Sequence, residues 1–316
     1  MSVARLPDGL PPGRLIAGSS PGLWISEEPV VAPGGLWASC HAQHRATGWH
    51  PVLMAWPCAH GHGHRSAEID TVDVAESLHE SWLTYRQTAL PPPAHRGAGD
   101  PAPHPGLTDP APHHGQGDPA SHHGLADLAD LAGHPALADL SDLTELAAQL
   151  GFAGPPDPRD TSARLGLAGP PYTRWPGLAA PSEPHPGPSP DAVARAGVGQ
   201  MLHYFTTRFT AYVALARVDR SADLPAAVGW DADAPALELS ALLRSWEDRF
   251  GARVIGFEGS SVFVSVASPP LTSRHAAHVA LEHVLTGASN LNDGTFPFPD
   301  YAEALRGERL WSFWWD

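Results

Sequence analysis

The alternation of apolar and polar positions is sharpest in the last third of the chain. Ala211-Tyr-Val-Ala-Leu-Ala-Arg-Val is apolar on both faces over a strand's length and predicts a buried strand. Asp223-Leu-Pro is a helix-start signal. From Pro235 onward Leu239, Leu242, Leu243, Trp246 and Phe250 recur at helical spacing, and Gly251 supplies the stop. Arg253-Val-Ile-Gly-Phe and Val262-Phe-Val-Ser-Val read as two strands around the hairpin connection Glu258-Gly-Ser-Ser. Pro269-Pro270 ends the second strand, and Thr272 or Ser273 caps a helix running to about Leu285. Trp311, Phe313 and Trp315 alternate with Ser312, Trp314 and Asp316, so a final strand with an aromatic face is expected there.

This order predicts an α+β fold, with helices on one face of a small mixed or antiparallel sheet. Upstream, Gly48-Trp-His-Pro-Val-Leu-Met-Ala-Trp56 is too apolar for solvent and too short for a core of its own. Residues 1–90 are therefore expected to form an N-terminal lobe that packs on a module spanning 200–316.

Between them the texture changes. Residues 91–190 hold 21 of the 35 prolines and 13 of the 31 glycines, a composition that cannot bury enough apolar surface to offset ordering. A disordered, low-complexity insertion is expected over 91–190. It carries a nine-residue repeat that begins Asp100-Pro-Ala-Pro-His, Asp109-Pro-Ala-Pro-His and Asp118-Pro-Ala-Ser-His, too short a period for a helical solenoid. A leucine register follows from Leu128, and a short amphipathic helix is expected over 141–150.

Charge narrows the partners. With 34 acidic and 19 basic residues the net charge is −15, and Arg supplies all of the basic charge because the chain has no Lys. Nucleic acid is excluded as a partner on that balance, and a basic protein is favoured. No apolar run of roughly 18 residues marks a membrane span, and the first residues show no signal-peptide core, so a cytoplasmic protein is expected. In that compartment the two cysteines, Cys40 and Cys58, are read as free thiols or ligands.

Four constellations bear on chemistry. Gly18-Ser-Ser-Pro-Gly22 matches a nucleophile elbow around Ser20, yet Pro21 lacks the N–H that the oxyanion hole requires. Cys40, His44, Cys58, His60 and His62 form a weak zinc-type set, because each cluster has one Cys and the Gly-His alternation lacks bulk to fix geometry. On the helix from Ser273, His275, His278 and Glu282 share one face, read either as a metal or acid–base face or, preferentially, as a solvated one. Glu247 and Asp248 diverge on their helix, and an ordinary Arg244–Asp248 pair is expected instead of a catalytic dyad.

Leu-Arg-Ser-Trp-Glu-Asp-Arg-Phe-Gly from Leu243 to Gly251 and the closing Trp-Ser-Phe-Trp-Trp-Asp from Trp311 to Asp316 resemble the bacterial family known as domain of unknown function 4253. The resemblance covers about residues 200–316, with a fainter echo at Leu10-Pro-Pro-Gly-Arg-Leu and Gly48-Trp-His-Pro-Val-Leu. It places Glu282-His283 on the family's Glu-His. After that pair the family's Phe-Cys-Pro-Asp-Asn is replaced by Val-Leu-Thr-Gly-Ala-Ser-Asn, so the family's Cys has no counterpart. The resemblance names a family and no reaction. The function expected is a non-enzymatic protein-binding module, inhibitor- or immunity-like, with Trp314, Glu282 and His283 as candidate binding residues. The alternative is a metal-dependent hydrolase using the Cys/His ligands with zinc.

Overall fold

The structure, a computed structural model, describes residues 5–16, 22–55, 63–89, 172, 174–183, 187–205, 211–230, 232–292 and 297–316. Most of the expected insertion, with its nine-residue repeat and the helix expected over 141–150, lies outside the described residues, as do Ser20, Cys58, His60 and His62.

One sheet of seven strands, ordered β1-β2-β4-β3-β5-β6-β7, organises the chain. The strands are β1 (Gly13–Leu15), β2 (Leu23–Ser26), β3 (His50–Met54), β4 (Tyr212–Ala216), β5 (Ala252–Glu258), β6 (Ser261–Val266) and β7 (Leu310–Trp314). Only β3 and β5 pair in parallel. The N-terminal β3 sits between β4 and β5, so both ends of the chain build one sheet. That sheet is mixed, and the fold is α+β.

Each face carries helices. Period-2 alternation sends Val52, Met54, Ala214, Val264 and Phe313 to one side, where they meet α3 (Val74–Ala89), α5 (Leu224–Val228), α6 (Ala236–Phe250), α7 (Ser273–Leu285) and α9 (Phe298–Ala304). Leu53, Val213 and Ile255 point the other way, against Trp37 of α1 (Pro33–Thr47) and Ala194, Val198 and Met201 of α4 (Pro190–Phe205). The short helices α2 (Ser66–Ile69) and α8 (Ser289–Asn292) complete the set among the described residues. The sequence reading put helices on one face. It missed the second layer because α4 begins inside the proline-rich stretch and α1 is weakly amphipathic. Packing there is close: a Cβ on Gly256 of β5 would stand 2.5 Å from Met201 Cε.

The end of the expected insertion is also corrected. Residues 174–183 lie as an extended strap on α6 and α7, with Tyr172 and Ala179 buried. α6 starts after Pro235 and stops at Gly251, whose positive φ of 63° lets its N–H reach the Trp246 and Glu247 carbonyls. Thr272 caps α7 by accepting from the His275 N–H.

Candidate functional site

Three features compete as the working surface: the residues of the family motif, a polar cleft at one end of the sheet, and an apolar groove beside α3.

The motif residues form a buried polar knot. Arg249, near the end of α6, meets Glu282 of α7 through two parallel bonds of 2.7 Å each. Glu282, fully buried, also accepts from Trp246 Nε1–H (2.8 Å) and from the Ala179 N–H of the strap (2.6 Å). Arg249 Nη1 donates onward to the Ala179 carbonyl. His275 and His278 bond the Ala180 and Gly177 carbonyls at 2.8 and 3.0 Å. The α7 face holding His275, His278 and Glu282 is therefore covered by the strap, which corrects the solvated reading.

His283, equally buried, is boxed by the rings of Trp246, Trp311 and Phe313 at centroid distances of 4.8, 4.4 and 4.9 Å. Its Nδ1 lies 2.8 Å from the Tyr301 hydroxyl, while Nε2 has no conventional partner. With the hydroxyl donating to Nδ1, the ring proton sits on Nε2, among the surrounding aromatic rings. Burial pushes the imidazole well below its ordinary pKa, so it stays neutral. Glu282 and His283 thus shape the core and offer nothing to solvent. Residues 212–316 match the model of the family described as Domain of unknown function (DUF4253). No curated protein and no solved structure matches the chain. The residues that resemble the family's motifs are, in this chain, a packing device.

Trp314 stands half-buried on β7, an edge strand. Beside it Asn290 accepts from the Trp314 N–H and donates to the Ser312 carbonyl, so one side-chain amide pairs with the open edge.

The polar cleft forms where β3 and β5 separate. Pro51 has no N–H to offer, and β3 pairs with β5 only at Leu53↔Gly256 and Met54↔Phe257. Nearby, Ser221 Oγ accepts from the Val254 N–H at 3.2 Å. Around this opening of about 360 Å³ stand His41 and His44 from α1, His50 from β3, Asp191 from α4, Arg220 after β4, Glu247 from α6 and Arg253 from β5. The three imidazole rings lie 4.9 to 5.5 Å apart. Burial drops His41 to about 4 and His50 to about 3, so both are neutral near pH 7. Burial also raises the Glu247 carboxyl, against Arg253 and Arg220, which pull it down.

Of the weak zinc-type set, only Cys40 and His44 are among the described residues, and they part company. His44 lines the cleft; Cys40 is buried with Trp24, Trp49 and Leu215, where burial pushes its thiol up to about 11. Among the described residues no group of three His, Cys, Asp or Glu side chains is arranged to hold a metal. The expected Arg244–Asp248 pair is replaced: Arg244 binds Asp223 and Asp70, and Asp248 binds Arg220 at 2.6 Å. Sequence reasoning missed the cleft. His41 and His44 at i, i+3 were its one local sign; His50, Asp191, Arg220 and Arg253 reach it only through tertiary folding.

The groove, about 660 Å³, runs between α3, α6 and α7. Leu78, Leu239, Leu242, Val284, Leu285 and Trp315 give it an apolar lining, and Glu80 and Glu238 are exposed at its margin.

Proposed function

We propose that the protein is a protein-binding module whose groove between α3, α6 and α7 receives a basic amphipathic helix of its partner. One observation carries this reading: the groove combines an apolar lining with Glu80 and Glu238, and among the described residues no Arg, Lys or His lines it. An amphipathic helix buries its apolar face in such a groove, and basic residues flanking that face meet the carboxylates. The net charge of −15 speeds the encounter, while apolar burial supplies most of the affinity. Occluding the working surface of a basic partner, as an inhibitor or immunity protein does, is the role this surface suits.

The anchor differs from the sequence expectation. Trp315 lines the groove and Trp314 does not. Glu80→Arg with Glu238→Arg tests the reading, because both side chains are exposed and reversal costs at most about 1 kcal/mol, at Glu238 in the first turn of α6. A labelled basic amphipathic peptide, followed by fluorescence anisotropy, should lose roughly tenfold in affinity to the double variant, mostly through slower association at low salt. Equal binding to both forms, or equal binding of an acidic peptide with the same apolar face, would overturn it.

A further inference from the structure

The cleft at the sheet end is a second site, independent of the groove. Its charges balance, with Arg45, Arg220 and Arg253 against Asp191, Asp219 and Glu247. Arg220 Nη2 is held by Asp248 at 2.6 Å, at the side of the cleft, but across it the pairs are longer. Asp191 Oδ1 stands 3.7 Å from Arg253 Nε and 3.9 Å from His41 Nε2, and its Oδ2 is 3.9 Å from Arg45. Glu247 Oε1 lies 3.2 Å from Arg253 Nη1 and 3.5 Å from Arg220 Nε. Within the cleft two buried atoms, the Arg220 Nε donor and the Glu247 Oε2 acceptor, have no hydrogen-bond partner.

The imidazoles add an acceptor. His44 Nδ1 is 2.7 Å from the His41 carbonyl and His50 Nδ1 is 3.2 Å from the Pro51 carbonyl, and only an N–H can meet a carbonyl there. Burial keeps His50 neutral, so its Nε2 carries a lone pair.

A simple anion in this cleft would satisfy the guanidinium groups but meet three carboxylates. A simple cation would meet three guanidinium groups. A molecule bearing both charges close together satisfies both sets, and a volume of about 360 Å³ accommodates a small one. We propose that the cleft binds a small zwitterion of the free α-amino acid class, its carboxylate toward Arg220 and Arg253 and its ammonium toward Glu247 Oε2 and the His50 lone pair. No bond is made or broken, and the site is one of recognition.

The test uses the full chain and isothermal titration calorimetry with the proteinogenic amino acids, each beside its N-acetyl and methyl-ester forms. Inorganic phosphate alone and zinc alone serve as single-charge probes. At least one amino acid should bind stoichiometrically, and blocking either charge should weaken it by roughly tenfold or more. Glu247→Gln should weaken the parent amino acid and erase its advantage over the N-acetyl form. Asp219→Asn and Arg45→Ala at the exposed mouth, which cannot disturb the core, should each weaken binding a few-fold and keep the test alive if Glu247→Gln is poorly folded. Absence of binding by every amino acid, equal binding of the blocked forms, or tighter binding of phosphate or zinc alone would each overturn the assignment.

Discussion

Glu247 and Arg249 lie two residues apart on α6, and the guanidinium–carboxylate clusters they join are opposites. Arg249 and Glu282 meet through paired 2.7 Å bonds, and both carboxylate oxygens receive a further N–H. Around Glu247 the nearest guanidinium contacts are 3.2 and 3.5 Å, and one carboxylate oxygen has no hydrogen-bond partner. Both clusters place charge away from bulk water, which is costly unless every donor and acceptor is matched. The first is matched within the protein. The second leaves the Glu247 Oε2 acceptor and the Arg220 Nε donor open, and that difference separates the structural ion pair from the cleft proposed as a binding site.

The largest effect should come from breaking the matched cluster. Glu282→Gln leaves the Arg249 charge buried without its partner and should cost about 3 to 5 kcal/mol in urea unfolding. It should also loosen the strap at 174–183, read as faster amide exchange there, because Ala179 is held by both members of the pair. A cost below about 1 kcal/mol would remove the distinction between the clusters.

Acid is the next lever. His41 at about 4, His50 at about 3 and His283, pushed well below the ordinary imidazole value of 6.5, are held neutral by burial. The folded pKa lies under the unfolded one, so this stabilisation is complete above about pH 6.5 and is lost as pH falls through the folded values. Each group contributes up to about 1.4 kcal/mol per pH unit while it titrates only in the unfolded chain. Urea midpoints should therefore fall steadily from pH 6.5 toward 4. His41→Asn with His50→Asn should flatten that slope by more than half, whereas an unchanged slope would assign acid lability to the His283 knot alone.

A smaller loss is expected for Trp246→Phe. It keeps the ring against Phe313 and removes one N–H from Glu282 Oε2, leaving an under-satisfied buried carboxylate at about 1 to 3 kcal/mol. Thermal unfolding checks it, and a neutral outcome would show that Arg249 alone satisfies that oxygen.

The matched cluster was half legible in the sequence and the unmatched one hardly at all. Helical spacing found α6, its Gly251 stop and the shared face of His275, His278 and Glu282, because those signals are local. It could not show that the face receives a strap, since Tyr172 and Ala179 sit in a stretch whose proline and glycine content reads as unfolded. The hairpin between β5 and β6 and the closing strand were legible by alternation. The cleft draws His50, Asp191, Arg220 and Arg253 from four separate segments, and no period or spacing links them. Cys40 and His44 looked like one ligand set because they are neighbours in sequence. On α1 they face different surroundings, an apolar cluster and the polar cleft.

The smallest effect, and the most discriminating, is expected for Glu247→Gln. Burial raises this carboxyl above its ordinary 4.5 more than Arg253 and Arg220 lower it. An acid whose folded pKa is raised contributes stability below its unfolded pKa and loses it as pH rises through the folded value, so at pH 7 the ionised Glu247 is a net burden. Removing the charge with Gln should stabilise the free protein at pH 7, by no more than about 1 kcal/mol, and the gain should vanish as pH approaches 4.5. The same change at Glu282 should cost several-fold more in the opposite direction. A stabilised variant that no longer recognises the zwitterion would mark Glu247 as a residue kept for its ligand at the expense of the fold. Glu247→Gln that destabilises as strongly as Glu282→Gln would place both carboxylates in the framework and leave the cleft without its argument.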